Sequence, residues 1–152
     1  MNAAEIMTRE VITVTPDLPV MDLARLLTER RISGVPVLEE GILVGIVTEG
    51  DLVDRIKKIH LPTLITLLDA VIPIAGERQY ESDLRKATAV TVADIMTTEV
   101  TVVEENTPLQ EIATILAEEH ISLVPVVDGD RLTGIIGKRD IIRGMIKRPS
   151  EI

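Results

Sequence analysis

Hydrophobic positions along the chain change their spacing several times, and each change predicts an element. The short β-branched runs "EVITV" (10–14) and "EVTVV" (99–103) predict strands. In "PVMDLARLLTERR" (19–31), Val20, Leu23, Ala24 and Leu27 recur at helical spacing, with Asp17 before Pro19 as a start signal. "PLQEIATILAEEH" (108–120) does the same with Leu109, Ile112, Ala113 and Leu116. Apolar "VPVL", turn residues "EEG" and apolar "ILVGIV" then predict a β-hairpin, and "VPVV", "DGD" and "LTGII" predict another. Helices follow in "TEGDLVDRIKKI" and "KRDIIRGMIKR", with Leu52, Val53 and Ile56, or Ile141, Ile142 and Met145, on one face.

The elements recur because the sequence does. Residues 4–56 align with 93–145 without a gap, at a constant offset of 89 residues, with 20 of 53 positions identical. Ordinary residue usage would give roughly three or four. The identities come in runs: Ile6-Met7-Thr8 with Ile95-Met96-Thr97, Val35-Pro36-Val37 with Val124-Pro125-Val126, and Asp51 with Asp140. The repeated unit is β-α-β-β-α. Its period exceeds that of solenoids and there are two copies, which predicts a pair around a pseudo-twofold axis. Each sheet is small and needs a partner to cover it, so the expected fold class is α/β (α+β), with two repeats packed sheet to sheet. The expected boundaries are 1–58 for the first repeat, 59–92 for a helical insert and 93–152 for the second repeat.

In the insert, "LPTLITLLDAVI" (61–72) predicts an apolar helix opened by Pro62, and "SDLRKATAV" (82–90) a more polar one. Leu64, Ile65, Leu67, Leu68, Val71 and Ile72 leave the first helix little polar face, so it must be buried from several sides. It either packs on its own two repeats or also buries against another chain. A homodimer is the expectation.

Composition narrows the function. Apolar residues make up 45% of the chain, yet Phe and Trp are absent and Tyr80 is the single Tyr. The core must therefore be Ile, Val, Leu and Met. Sixteen Lys and Arg against 25 Asp and Glu give a net charge of −9, which argues against nucleic acid as a partner. One Tyr also offers few platforms for stacking bases. The absence of cysteine excludes disulfides, thiol catalysis and thiolate metal sites, and fits a reducing compartment. "MNAAEIMTRE" shows no secretory leader, and "LPTLITLLDAVIPIA", broken by Asp69 and two prolines, is too short to span a bilayer. These features predict a soluble, cytoplasmic protein without a membrane partner. His60 and His120 read as surface residues. No nucleophile–base–orienter set and no metal-ligand spacing stands out, so neither an enzyme nor a metal site is expected.

The candidate chemistry lies in two turns, "GIVTEGD" (45–51) and "GIIGKRD" (134–140). Thr48 falls at the N-cap of a helix and Asp51 at its third position, the spacing of a capping box. A carboxylate there also suits the positive helix end. Alternatively, the aspartate accepts hydrogen bonds from a diol, such as a ribose 2′,3′ pair, on both carboxylate oxygens. Backbone N–H groups beside it would suit a phosphate. In the second turn Gly137 replaces the hydroxyl while Asp140 is kept, which leaves both readings open.

The order Ile-Met-Thr, strand, helix, "ISGVPVL", hairpin, "GIVTEGD", repeated with "ISLVPVV" and "GIIGKRD", resembles a tandem pair of CBS domains, named after cystathionine β-synthase. The resemblance covers both repeats, about two-thirds of the chain, and implies a compact module with two clefts. In this family such clefts take AMP, ADP, ATP or S-adenosylmethionine, and binding regulates an attached or associated protein. Carried over by position, Asp51 and Asp140 would each hold a ribose, with Thr48 supporting the ribose-phosphate region. Ser33 and Gly34 before Val35-Pro36, and Ser122 and Leu123 before Val124-Pro125, would border the ligand. Ile12-Thr13 and Thr101-Val102 would flank the base.

Gly137 departs from the family's usual Ser or Thr. Lys138 and Arg139 either serve the phosphate of a ligand held by Asp51 or Asp140, or are solvated charges, and Glu49 would repel an anion. The resemblance thus implies a regulatory module for an adenine nucleotide, with S-adenosylmethionine less favoured and no obligatory cofactor. One good site and one weaker or empty site are expected, together with an unidentified effector protein. The competing reading is a ligand-free dimeric scaffold that docks a partner through the insert.

Overall fold

The computed structural model describes residues 1–58 and 90–151. The insert helices expected at 61–72 and 82–90 lie outside the described residues, apart from Val90. The first repeat contains α1 (Ala3–Ile6), α2 (Val20–Arg30), β1 (Gly34–Glu39), β2 (Ile42–Thr48) and α3 (Glu49–Lys58). The second contains α4 (Val92–Ile95), β3 (Val103–Glu104), α5 (Leu109–Glu118), β4 (Leu123–Asp128), β5 (Arg131–Gly137) and α6 (Lys138–Lys147), followed by a 3₁₀ turn at Pro149–Glu151. The result is a mixed α/β fold with two small sheets, β1-β2 and β3-β4-β5.

The helices and hairpins form where the periodicity predicts them. Val20, Leu23 and Leu27 turn the buried stripe of α2 inward, and Leu109, Ile112 and Leu116 do so for α5. The C-cap of α2 is a left-handed residue that is not glycine, Arg31 (φ 54°), whereas α5 is capped by Glu119 in the right-handed region and the left-handed residue, His120 (φ 54°), follows it. His120 is exposed. The first hairpin turns through Glu40 and Gly41, both with positive φ (51° and 80°), as a type I′ turn requires. The second has positive φ only at Gly129 (62°), the type II′ pattern. The turn glycine has moved by one position between the repeats, and the turn type has changed with it. In the second sheet β4 pairs antiparallel with β5, with a register shift between Val126 and Val127.

Two expectations are corrected. The strand expected at 10–14 contracts to an isolated parallel bridge between Val14 and Val37. Its counterpart expected at 99–103 is the two-residue β3, paired parallel with β4 through Val103–Val126 and Glu104–Val127. Upstream in the first copy the Val11 amide donates to the Arg9 carbonyl at 3.1 Å, so the backbone turns on itself instead of extending a ladder. Strand-forming residue types need a neighbouring strand to become a strand.

The second correction is the pair of one-turn helices that open the repeats. Both are held by carboxylates reaching back to the N-cap. Glu5 accepts from the Asn2 amide at 2.9 Å, and Asp94 accepts from the Thr91 amide at 2.8 Å. The Asn2 amide, followed by Arg148, holds the Glu5 carboxyl below the usual carboxylate range, and the Thr91 amide and hydroxyl do the same for Asp94.

The described residues belong to two compact units, one of Met1–Val14, Val35–Ile46 and the chain from Thr98, the other of Thr15–Gly34 and the residues from Val47 to Thr97. The first unit has a core of Ala3, Ile6, Met7, Val103, Leu109, Ile112, Leu116, Val124, Val126 and Ile136. The segment that opens the first repeat is therefore built into the second repeat's core. Its backbone confirms this: Ala3 donates to the Thr107 carbonyl at 2.9 Å, while Thr8 and Ile135 exchange bonds at 2.9 and 3.0 Å. In the second unit the relation is reversed. Val92 donates to the Leu18 carbonyl at 2.8 Å and Val20 to the Val90 carbonyl at 3.0 Å. Val20, Leu23, Leu27, Val47 and Val92 are buried there.

Candidate ligand-binding turns

Both turns are strand-to-helix junctions at which an aspartate reaches back to the residue before the helix. In the first, β2 ends at Thr48 and α3 begins at Glu49. The Asp51 Oδ2 accepts from the Thr48 amide at 2.8 Å and from its hydroxyl at 3.2 Å. The carboxylate arm of the capping box is thus made, and it ties the side chain to the backbone it caps. The Ser33 carbonyl accepts from the Glu49 amide at 2.8 Å, which joins the residue before β1 to the start of α3. That N–H is therefore engaged within the protein. Thr48 and Asp51 are half-buried, and Glu49 and Gly50 are exposed.

In the second turn Gly137 precedes α6, and its amide donates to the Asp140 Oδ2 at 2.8 Å. Here the other oxygen is also engaged. The Asp140 Oδ1 accepts from the Thr8 hydroxyl at 3.0 Å and from Arg143 at 3.3 Å. Asp140 is 8% exposed and is the buried charged residue among those described. Gly137 has an ordinary backbone (φ −114°), so its glycine is not required by conformation. A Cβ there would lie 3.2 Å from the Leu123 side chain, consistent with the Leu123–Gly137 pairing across the hairpin.

The remaining candidates divide between the two units. The second-repeat set, Thr101, Val102, Ser122, Leu123, Val124, Pro125, Lys138, Arg139 and Asp140, lies wholly in the first unit. Val124 and Pro125 are buried in β4, Thr101 and Leu123 are half-buried, and Val102, Ser122, Lys138 and Arg139 are exposed. Of the first-repeat set, Ser33, Gly34, Thr48 and Asp51 belong to the second unit, and Ile12, Thr13, Val35 and Pro36 to the first. Gly34, Val35 and Pro36 are buried, Ile12 and Ser33 half-buried and Thr13 exposed.

Sequence reasoning missed Thr8 and Arg143. Thr8 lies 132 residues from the carboxylate it meets, but its identity with Thr97 in the Ile-Met-Thr runs was a signal. Arg143 carried none, since the first copy has Asp54 at that position.

Comparison with known proteins agrees with this architecture. The CBS domain family model matches residues 3–58 and 92–147, so the chain belongs to the CBS domain family. It is 31% identical over 147 residues to the uncharacterised protein MJ1426 of Methanocaldococcus jannaschii, covering 91% of this chain and 88% of that one. It is 32% identical over 146 residues to the chloroplastic CBS domain-containing protein CBSX2 of Arabidopsis thaliana, covering 91% of this chain and 60% of CBSX2. A crystal structure of CBSX2 in complex with AMP superposes with a TM-score of 0.71 at 26% identity, over 97% of this chain and 98% of that one. The CBS domain pair of MJ0100, in complex with 5′-methylthioadenosine and S-adenosyl-L-methionine, gives a TM-score of 0.70 at 25% identity, with the same coverage. No helix among the described residues is long and apolar enough to cross a membrane.

Proposed function

We propose that the chain is a regulatory module without chemistry of its own, which binds an adenosine nucleotide at the first turn through Asp51. The observation that carries this is the state of the carboxylate. Thr48 holds its Oδ2 in place, and among the described residues nothing donates to Oδ1. An oriented, half-buried acceptor with an open oxygen is what a ribose diol needs. The diol would use Oδ1, rather than both oxygens as the sequence suggested. The adenosine ligands of CBSX2 and of the MJ0100 pair support the ligand class.

Glu49 and Asp54 flank Asp51 in the sequence, which favours a ligand with few phosphates. AMP is therefore the ligand of choice ahead of ADP and ATP, with S-adenosylmethionine less favoured. Ser33, Gly34 and Thr48, which belong to the same unit as Asp51, border this site in the reading. Binding would bias one arrangement of the protein over another, as differential affinity requires, and an effector protein would read the change. A homodimer belongs to the same reading.

A thermal-shift titration tests it, since a ligand that binds only the folded state raises apparent stability. AMP should raise the midpoint more than ATP does, and Asp51→Ala should abolish the shift while lowering the unliganded midpoint only by the loss of its capping bonds to Thr48. No shift with any adenosine compound would favour the ligand-free scaffold, in which Thr48 and Asp51 are caps alone.

A further inference from the structure

Asp51 and Asp140 occupy the same place in their repeats but keep different company. A carboxylate offers about four acceptor positions, two on each oxygen. On Asp51 the Thr48 amide and hydroxyl take two, both on Oδ2. On Asp140 the Gly137 amide takes one position of Oδ2, while the Thr8 hydroxyl and Arg143 take both positions of Oδ1. One position is left, on a side chain only 11% exposed. A cis-diol brings two donors, which at Asp51 would share the one open oxygen; at Asp140 neither oxygen is wholly open, and Oδ1 opens only when both Thr8 and Arg143 have left it.

We infer that Asp140 is a clasp that fastens the opening segment of the chain onto the second repeat, and that Thr8 thereby decides whether the second turn can take a diol. The two donors on Oδ1 are not equivalent. Arg143 contacts it at 3.3 Å from a side chain 59% exposed, where competition with water makes an ion pair weak. Thr8 is held at 3.0 Å by its own backbone, which exchanges hydrogen bonds with Ile135 at 2.9 and 3.0 Å. Met7 beside it is buried in the core against Gly134. Thr8 cannot drift away without opening that bridge. Its hydroxyl stands where a ribose hydroxyl would donate, and occupancy of the second turn by a nucleotide is coupled to release of the opening segment.

The ligand half of this inference rests on the adenosine reading above, and the clasp half does not. The test is calorimetric titration of the full chain with AMP, combined with amide hydrogen exchange. Wild type should bind one AMP per chain. Thr8→Val, which keeps the shape and removes the donor, should bind two, and the Thr8-region and Ile135 amides should exchange about tenfold faster, the change expected when about 1.4 kcal/mol of protection is lost. Thr8→Ser and Arg143→Ala should each resemble wild type in both measurements. A Thr8→Val protein with one AMP and unchanged exchange overturns the inference while the adenosine reading stands. A second AMP admitted by Arg143→Ala alone overturns the role of Thr8. No AMP heat in any variant overturns the adenosine reading and the closure with it, and unchanged exchange in Thr8→Val then removes the clasp as well.

Discussion

A side chain at position 134 would have to share space with Met7. A Cβ built on Gly134 falls 2.8 Å from the Met7 Cγ and 3.0 Å from its Cβ, and clashes with the sulfur. The flexible end of methionine could swing aside, but its Cβ is tied to a backbone that continues into the Thr8–Ile135 bridge. Gly134→Ala should therefore destabilise by about 1–3 kcal/mol in denaturant unfolding. Gly137→Ala should cost less than ~1 kcal/mol, because its nearest neighbour is the movable end of Leu123 at 3.2 Å. Equal stability of Gly134→Ala and wild type would show that Met7 does not seat the opening segment. The repeated Gly45 and Gly134 were legible as matched positions, but the reason for a glycine was not. For Gly134 it lies in Met7, more than a hundred positions away, and periodicity reports only neighbours along the chain.

Helices α3 and α6 were legible as helices, but not what their apolar faces do. Leu52 and Ile141 are half-buried, whereas Val53 in α3 is 63% exposed and Ile146 in α6 is 75% exposed, with Ile56 and Ile142 also open to solvent. Hydrophobic spacing identifies a face but not its partner, and the sequence assigned association to the insert alone. Apolar surface left on two separate helices supports the proposed homodimer. Light scattering at micromolar concentration should report a dimer, weakened by Ile146→Lys, and monomer alone in the wild type would reject it. The short helices α1 and α4 were not anticipated, although the capping spacings Asn2 to Glu5 and Thr91 to Asp94 stand in the sequence. Four residues are too few for a helical period to show. The strand at 10–14 failed for the opposite reason, since its β-branched composition was plain but its pairing is tertiary.

At the scale of the whole molecule, duplication gave two copies of one turn, and the fold has used them differently. The gapless repeat, the two hairpins and the paired aspartates could be read from the sequence because they are local patterns present twice. The divergence of the two carboxylates could be read only in part, from Gly137 and from the cations beside it. What separates them most is Thr8, which reaches Asp140 because the segment opening the first repeat is built into the core of the second. In the proposed reading one aspartate stays open to a ligand and the other fastens the opening segment to the second repeat.

A crystal structure grown with AMP tests this division most directly. It should show one nucleotide per chain, with its ribose hydroxyls within hydrogen-bond distance of the Asp51 Oδ1 and the Thr8–Asp140 bond intact. A nucleotide whose ribose sits on Asp140 while Thr8 keeps its bond, or one that avoids Asp51 altogether, would contradict the account.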